Sequence, residues 1–155
     1  GRMESTSAAI AQHPLGQSLS QELLGRLSEC ARPVQFGGGE LIFREGGPAD
    51  TLFLLQKGRV GLEQHVPGRG PLRVEELRAG DILGLSWMFP QERWTLDARA
   101  VEPVEAIALN AGGVRALMQQ EPALALPLAT HLLERLYERL VRVRLQRLDV
   151  YRSEA

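Results

Sequence analysis

Residues 39–60 read GELIFREGGPADTLFLLQKGRV. Two short apolar runs, Leu41-Ile42-Phe43 and Leu52-Phe53-Leu54-Leu55, are set apart by Gly46-Gly47-Pro48, and the second is followed after Gln56 by Lys57-Gly58. Short aliphatic and aromatic runs bounded by Gly and Pro are strands joined by turns, because a hairpin turn needs positive φ that glycine adopts without strain. The stretch is therefore predicted to open an all-β body.

The same pattern extends outward. Between residues 33 and 110 the segments VQF, LIF, LFLL, RVGLEQHV, LRVEEL, DILG, LDARAV and VEAIAL follow one another. The turn formers Gly37-Gly38-Gly39, Gly46-Gly47-Pro48, Lys57-Gly58, Pro67-Gly68-Arg69-Gly70-Pro71 and Ala79-Gly80-Asp81 divide them at spacings of about 8 to 12 residues. The predicted class is mainly β with flanking helices, a double-stranded β-helix or jelly roll with a long C-terminal helix. On the N-terminal side, residues 18–30 place Leu19, Leu23, Leu24 and Leu27 at helical spacing behind Ser20, a capping residue. On the C-terminal side the helical period returns, from Ala111 to about Gln120 and then, past Pro122, to about Tyr151. The expected division is a flexible N-terminus, residues 1–12, and one domain, residues 13–155, with its β-roll at about 33–110 and its C-terminal helices at about 111–151.

In the last helix Leu126, Ala129, Leu133, Leu136, Leu140, Val143, Arg147 and Val150 alternate spacings of three and four, a coiled-coil seam interrupted only at Arg147. Its first two turns are expected to pack on the chain's own sheet. A second stripe, Leu132, Leu145 and Leu148, asks for cover on another face. A second copy of the helix supplies it most simply, so a homodimer through this helix is expected. Arg135, Arg139, Arg142, Arg144, Arg147 and Arg152 against Glu134 and Glu138 make the helix locally basic, as suits solvated coiled-coil flanks.

Composition narrows the function classes. The 155 residues, 44% hydrophobic and 24% charged, have the profile of a folded domain. A formal net charge of -1 gives no basic excess for a phosphate backbone. Cys30 is the single cysteine, which excludes an intrachain disulfide and a thiolate-rich metal site and suits the cytoplasm. No apolar run has the length of a membrane span and no signal-type start is present, so no membrane association is expected. His13, His65 and His131 lie at no metal-site spacing, which leaves a jelly-roll metalloenzyme of cupin type without ligands. Cys30, with Arg32 nearby to lower its pKa somewhat, has no adjoining His or Asn for nucleophilic work. No metal, no catalytic residue and no enzyme activity are expected.

Gly39-Glu40, Leu41-Ile42-Phe43, Glu45-Gly46, Ala49-Asp50, Leu52-Phe53-Leu54-Leu55 and Gly58-Arg59-Val60 fall in a register that resembles the opening of a cyclic-nucleotide-binding domain of the catabolite activator type. Gly80-Asp81-Ile82-Leu83-Gly84 is similar to the strand entering that family's phosphate-binding cassette, and Ala98-Arg99-Ala100 to the strand leaving it. The resemblance covers about residues 13–151 and implies a ligand-sensing regulatory module. In the family the cassette is a short helical turn whose backbone amides and one arginine hold the cyclic phosphate, while a glutamate holds the ribose hydroxyl. Amides at a helix start favour an anion.

Here the cassette, residues 84–100, reads GLSWMFPQERWTLDARA. Leu85 stands where the family has glutamate. Counting back from Ala100 puts Trp94 at the phosphate arginine, whereas matching Gln91-Glu92-Arg93 puts Arg93 there, and both registers stay open. With Trp94 in place, losing charged partners to ribose and phosphate removes free energy comparable to that behind micromolar affinity. With Arg93 in place, a weakened or different nucleotide site survives. Trp87, Met88, Phe89, Pro90 and Trp94 concentrate apolar and aromatic surface that either stacks a base, a ring or another protein, or plugs the pocket. Ser86, Trp87, Phe89, Pro90, Arg93, Trp94, Asp97, Ala98, Arg99 and Ala100 are similar to the pattern of short bacterial members that lack the helix-turn-helix domain, which implies no direct DNA binding.

The expected ligand site is Gly84, Leu85, Ser86, Arg93, Trp94 and Thr95, closed by the long helix of either subunit. It would take a cyclic nucleotide, cAMP or cGMP, or another small anionic or aromatic ligand. The alternative is a degenerate module that binds no nucleotide and serves as an interaction and dimerisation subunit for a protein partner. Asp97 and Arg99, alternating on one strand face, are expected to pair with each other or with Arg93.

Overall fold

The structure, a computed structural model, describes residues 2–85 and 92–154, without the side chains of residues 2–5, 153 and 154. Of the expected cassette, Ser86, Trp87, Met88, Phe89, Pro90 and Gln91 lie outside the described residues. The strands described are β1 (Ala31–Phe36), β2 (Leu41–Phe43), β3 (Thr51–Lys57), β4 (Arg59–Val66), β5 (Gly70–Arg78), β6 (Ile82–Leu83), β7 (Asp97–Ala100) and β8 (Val104–Asn110). They form two four-stranded antiparallel sheets, ordered β1-β8-β3-β6 and β2-β7-β4-β5. Apart from the β4–β5 hairpin, each strand is followed by one in the other sheet, and this crossing makes the body a β-roll.

The unbroken apolar runs at β3 and β8 have a physical reason. On β3, Leu52 and Leu54 face a cluster shared with the helices, while Phe53 and Leu55 face the opposite sheet. On β8, Ile107 and Leu109 take the helical side, and Ala106 and Ala108 the inter-sheet side. A strand alternates faces, so one buried on both reads as continuously apolar. β4 and β7 instead alternate in character, with Val60, Leu62, Ala98 and Ala100 turned to the inter-sheet core. Outside, Arg59 of β4 pairs with Glu76 at 2.8 Å and with Glu102 at 2.8 Å.

The helices pack on the β1-β8-β3-β6 sheet. They are α1 (Arg2–Gln12), α2 (Gln21–Ser28), α3 (Ala111–Gln120) and α4 (Pro122–Glu154), with a 3-10 turn at Pro14–Gly16. Residues 2–12, expected to be flexible, are helical, because α1 has somewhere to bury itself: Ile10 joins the core with Leu15, Leu24 and Leu27. The Ser20 hydroxyl accepts from the Leu23 N–H at 3.3 Å and starts α2, and Asn110 Oδ1 accepts from the Gly113 N–H at 2.8 Å and starts α3.

α4 turns a different face to the core from the one its seam suggested. Leu124, Leu128 and Leu132 are buried, whereas Leu126 is 73% and Leu133 67% exposed. The rotation of α4 is set where it begins, directly after α3, with Arg26 of α2 ion-paired to Glu121 at the junction. Cys30 also corrects an expectation. Burial, with Glu29 adding to it, pushes the thiol pKa up rather than down.

Candidate ligand-binding site

Where β4, β5 and β6 meet α4 the molecule holds a cavity of about 370 Å³. Leu62, Leu77 and Leu83 form its floor, Phe43, Leu85, Trp94, Thr95 and Leu96 one side, and Leu136, Arg139, Leu140 and Val143 of α4 the other. Glu75 completes the lining, and shares a strand face with Leu77 because the two are two residues apart. The α4 residues recur every three or four positions and so present one face of the helix.

Trp94 is the best-anchored of these side chains. It is 6% exposed and lies on Phe43 with ring centroids 4.0 Å apart and planes 10° apart. Its backbone is fixed on both sides: the Gly46 N–H donates to the Trp94 carbonyl at 2.8 Å, and the Trp94 N–H donates to the Gly47 carbonyl at 2.9 Å. The far edge of the indole meets Gly84, which has φ +95. A Cβ at Gly84 would stand 2.8 Å from Trp94 Cη2 and 2.9 Å from the Thr51 carbonyl oxygen, so only glycine fits.

Of the predicted site residues, Gly84, Leu85, Trp94 and Thr95 come together in the lining. Arg93 does not join them. Its side chain is on the exposed side, where the guanidinium donates to the Gly46 carbonyl at 3.1 Å. Neighbouring residues of an extended segment point in opposite directions, so burying Trp94 turns Arg93 outward. Ser86 lies outside the described residues. Glu75, Arg139 and the α4 leucines were missed. The signal for Glu75 was its period-two relation to Leu77, whereas nothing in α4 ties residue 139 to residue 75.

The cavity's charge is concentrated in one pair. Arg139 donates from Nε to Glu75 Oε1 at 2.9 Å and from Nη2 to Oε2 at 2.6 Å, a bidentate arrangement. Arg142 stands 3.6 Å from the same carboxylate. Among the described residues, Arg139 is the one cationic side chain in the lining, and it is already engaged. The expected pairing of Asp97 with Arg99 or Arg93 is replaced by other contacts. Asp97 accepts from the Glu45 N–H at 2.7 Å, and Arg99 reaches Glu63 at 3.2 Å and the Gly39 carbonyl at 2.7 Å. These partners hold the β2–β3 connection and β4 against β7.

Between α1 and the 3-10 turn, the buried His13 bridges the N-terminal segment and the roll at Asp81, just before β6. Its Nδ1 accepts from the Leu15 N–H at 3.1 Å, which places the proton on Nε2, and that N–H donates to the Asp81 carbonyl at 3.2 Å. Burial outweighs that bond and, with His131 and Arg135 nearby, lowers the pKa to about 4.

Comparison with known proteins agrees with this architecture. Residues 33–121 match the model of the cyclic nucleotide-binding domain. The chain is 27% identical over 120 residues to the cGMP-dependent protein kinase, isozyme 1, of Drosophila melanogaster, a match covering 76% of this chain and 16% of that protein. It is 23% identical over 127 residues to the CRP-like cAMP-activated global transcriptional regulator of Mycobacterium tuberculosis, covering 82% of this chain and 57% of the regulator. It thus spans less than two thirds of either relative. A solved cyclic nucleotide-binding domain from Methylobacillus flagellatus shares the fold, with a TM-score of 0.78 and 21% identity over 95% of this chain and 83% of the other. No helix among the described residues is long and apolar enough to cross a membrane. With more than half of its length inside the family model and the roll built as two crossed-over sheets, the chain belongs to the cyclic nucleotide-binding domain family.

Proposed function

We propose that the chain is a non-catalytic, ligand-sensing regulatory module in which a small molecule between the roll and α4 sets the position of that helix for a protein partner. One observation carries this: Leu136, Arg139, Leu140 and Val143 make α4 a wall of the cavity. A ligand shifts an equilibrium only through contacts that differ between the two states, and contacts to a movable wall differ. A cavity of about 370 Å³ lies within the range of small-molecule sites. That favours sensing over a plugged roll, because Trp94 covers the Gly84 side and leaves the rest open.

On this proposal Gly84, Leu85, Trp94 and Thr95 contact the ligand, and Arg93 braces the turn at Gly46. Cyclic AMP and cyclic GMP bind weakly, since the ribose meets Leu85 and the nearest guanidinium is held by Glu75. Two copies pair along α4, where Leu133, Leu136, Leu140, Val143 and Val150, spaced by threes, fours and one seven, are each about half exposed or more in the single chain. The partner helix would then lie along the cavity's α4 wall.

The test is a calorimetric panel of cyclic AMP, cyclic GMP, cyclic dinucleotides, aliphatic and aromatic acids and neutral apolar compounds, with amide exchange of residues 136–143 as the second readout. A compound that saturates one site per chain and slows exchange there supports the sensor. A panel in which nothing saturates, or in which α4 does not respond, returns the degenerate module.

A further inference from the structure

Resting on the sensor proposal, we infer that the ligand is a small amphipathic carboxylate whose apolar body fills the cavity and whose head group takes Arg139 from Glu75. The body of the cavity is hydrocarbon: Leu62, Leu77, Leu83 and Leu85 of the roll face Leu136 and Leu140 of α4. Hydroxyl and phosphate oxygens placed there would leave water without new partners, which is unfavourable. The bulk of the ligand is therefore apolar.

Among the described residues, the charge in the lining is confined to one spot on the wall. Glu75 meets two guanidiniums, Arg139 through two hydrogen bonds and Arg142 at 3.6 Å, so this patch carries one more positive charge than negative. The guanidinium fork matches a carboxylate in two-point contact. An incoming carboxylate reproduces the geometry that Glu75 now supplies, and Glu75 keeps Arg142. Since Glu75 is on β5 and both arginines are on α4, the exchange replaces the bidentate link between roll and helix with the longer Glu75–Arg142 contact. Head-group recognition thereby loosens, at one point, the hold of the roll on the helix.

Calorimetric titration of the full chain with decanoate, decanol and cyclic AMP, in the natural protein and in Arg139→Gln and Glu75→Gln, tests this. Decanoate is expected to bind at least about tenfold more tightly than decanol. Arg139→Gln removes that preference and brings decanoate affinity down to that of decanol. Glu75→Gln frees Arg139 from its internal competitor and tightens decanoate by about threefold or more, a gain that misfolding cannot produce. Decanol binding as tightly as decanoate, or decanoate indifferent to both substitutions, overturns the carboxylate assignment and leaves an apolar sensor site standing. Cyclic AMP binding while decanoate and decanol do not also overturns it. Silence from all three overturns it as well, and the broader panel then decides whether the sensor survives.

Discussion

The indole of Trp94 lies parallel to the ring of Phe43, 4.0 Å away, and so joins the segment returning from the cassette to β2. A stacked pair of this kind adds about 0.5 to 1.5 kcal/mol beyond the area it buries. Trp94 therefore holds the cavity's side wall in place, and the space beside it is left for a ligand.

Replacing Trp94 with alanine is expected to cost about 3 to 5 kcal/mol, the range for large aromatic residues removed from a core. Trp94→Phe keeps a ring over Phe43 and should cost clearly less. Urea denaturation midpoints decide the matter, and equal losses in the two variants would show that the stacking contributes nothing.

Gly84→Ala combines a backbone angle that L-residues avoid with contacts at 2.8 and 2.9 Å that cannot all relax. A loss of at least about 2 kcal/mol is expected, with a change in the near-ultraviolet circular dichroism of tryptophan as the indole is displaced. An unchanged spectrum would show that Trp94 does not rest on residue 84.

His13 makes stability depend on pH. Its folded pKa of about 4 lies below the ordinary value of 6.5, so between those values the unfolded chain binds the additional proton. Stability is complete above about pH 6.5, falls as pH drops through the window, and levels off below about 4. Between about pH 6.5 and 5 the loss attributable to His13 is about 1.5 kcal/mol, and burial of His131 acts in the same direction. His13→Gln should be less stable at neutral pH yet lose less between these pH values. A urea titration with the same slope in both proteins would remove His13 from the account.

Leu133→Glu with Val150→Glu places charges on two exposed seam positions of α4, neither of which lines the cavity. Sedimentation equilibrium at tens of micromolar should change from dimer to monomer while decanoate still binds. A natural chain that sediments as a monomer would dispose of the dimer.

The sequence by itself determined the roll: turn glycines set between short apolar runs specify strands and connections locally, through backbone angles that other residues avoid. It also limited β3 and β8 to positions buried on both faces, since their side chains do not alternate in polarity. Three matters were settled only by the tertiary structure. Whether Trp94 or Arg93 turns inward depends on which one finds a ring and a glycine to pack on, and those are Phe43, remote in sequence, and Gly84, at the far end of the same cassette. Which stripe of α4 meets the core depends on how the α3 junction rotates it, since several of its faces are apolar and periodicity alone does not choose among them. The charge in the cavity wall, Glu75 with Arg139, joins residues 64 positions apart, and a pair of that kind exists only once the roll and the helix have been brought together.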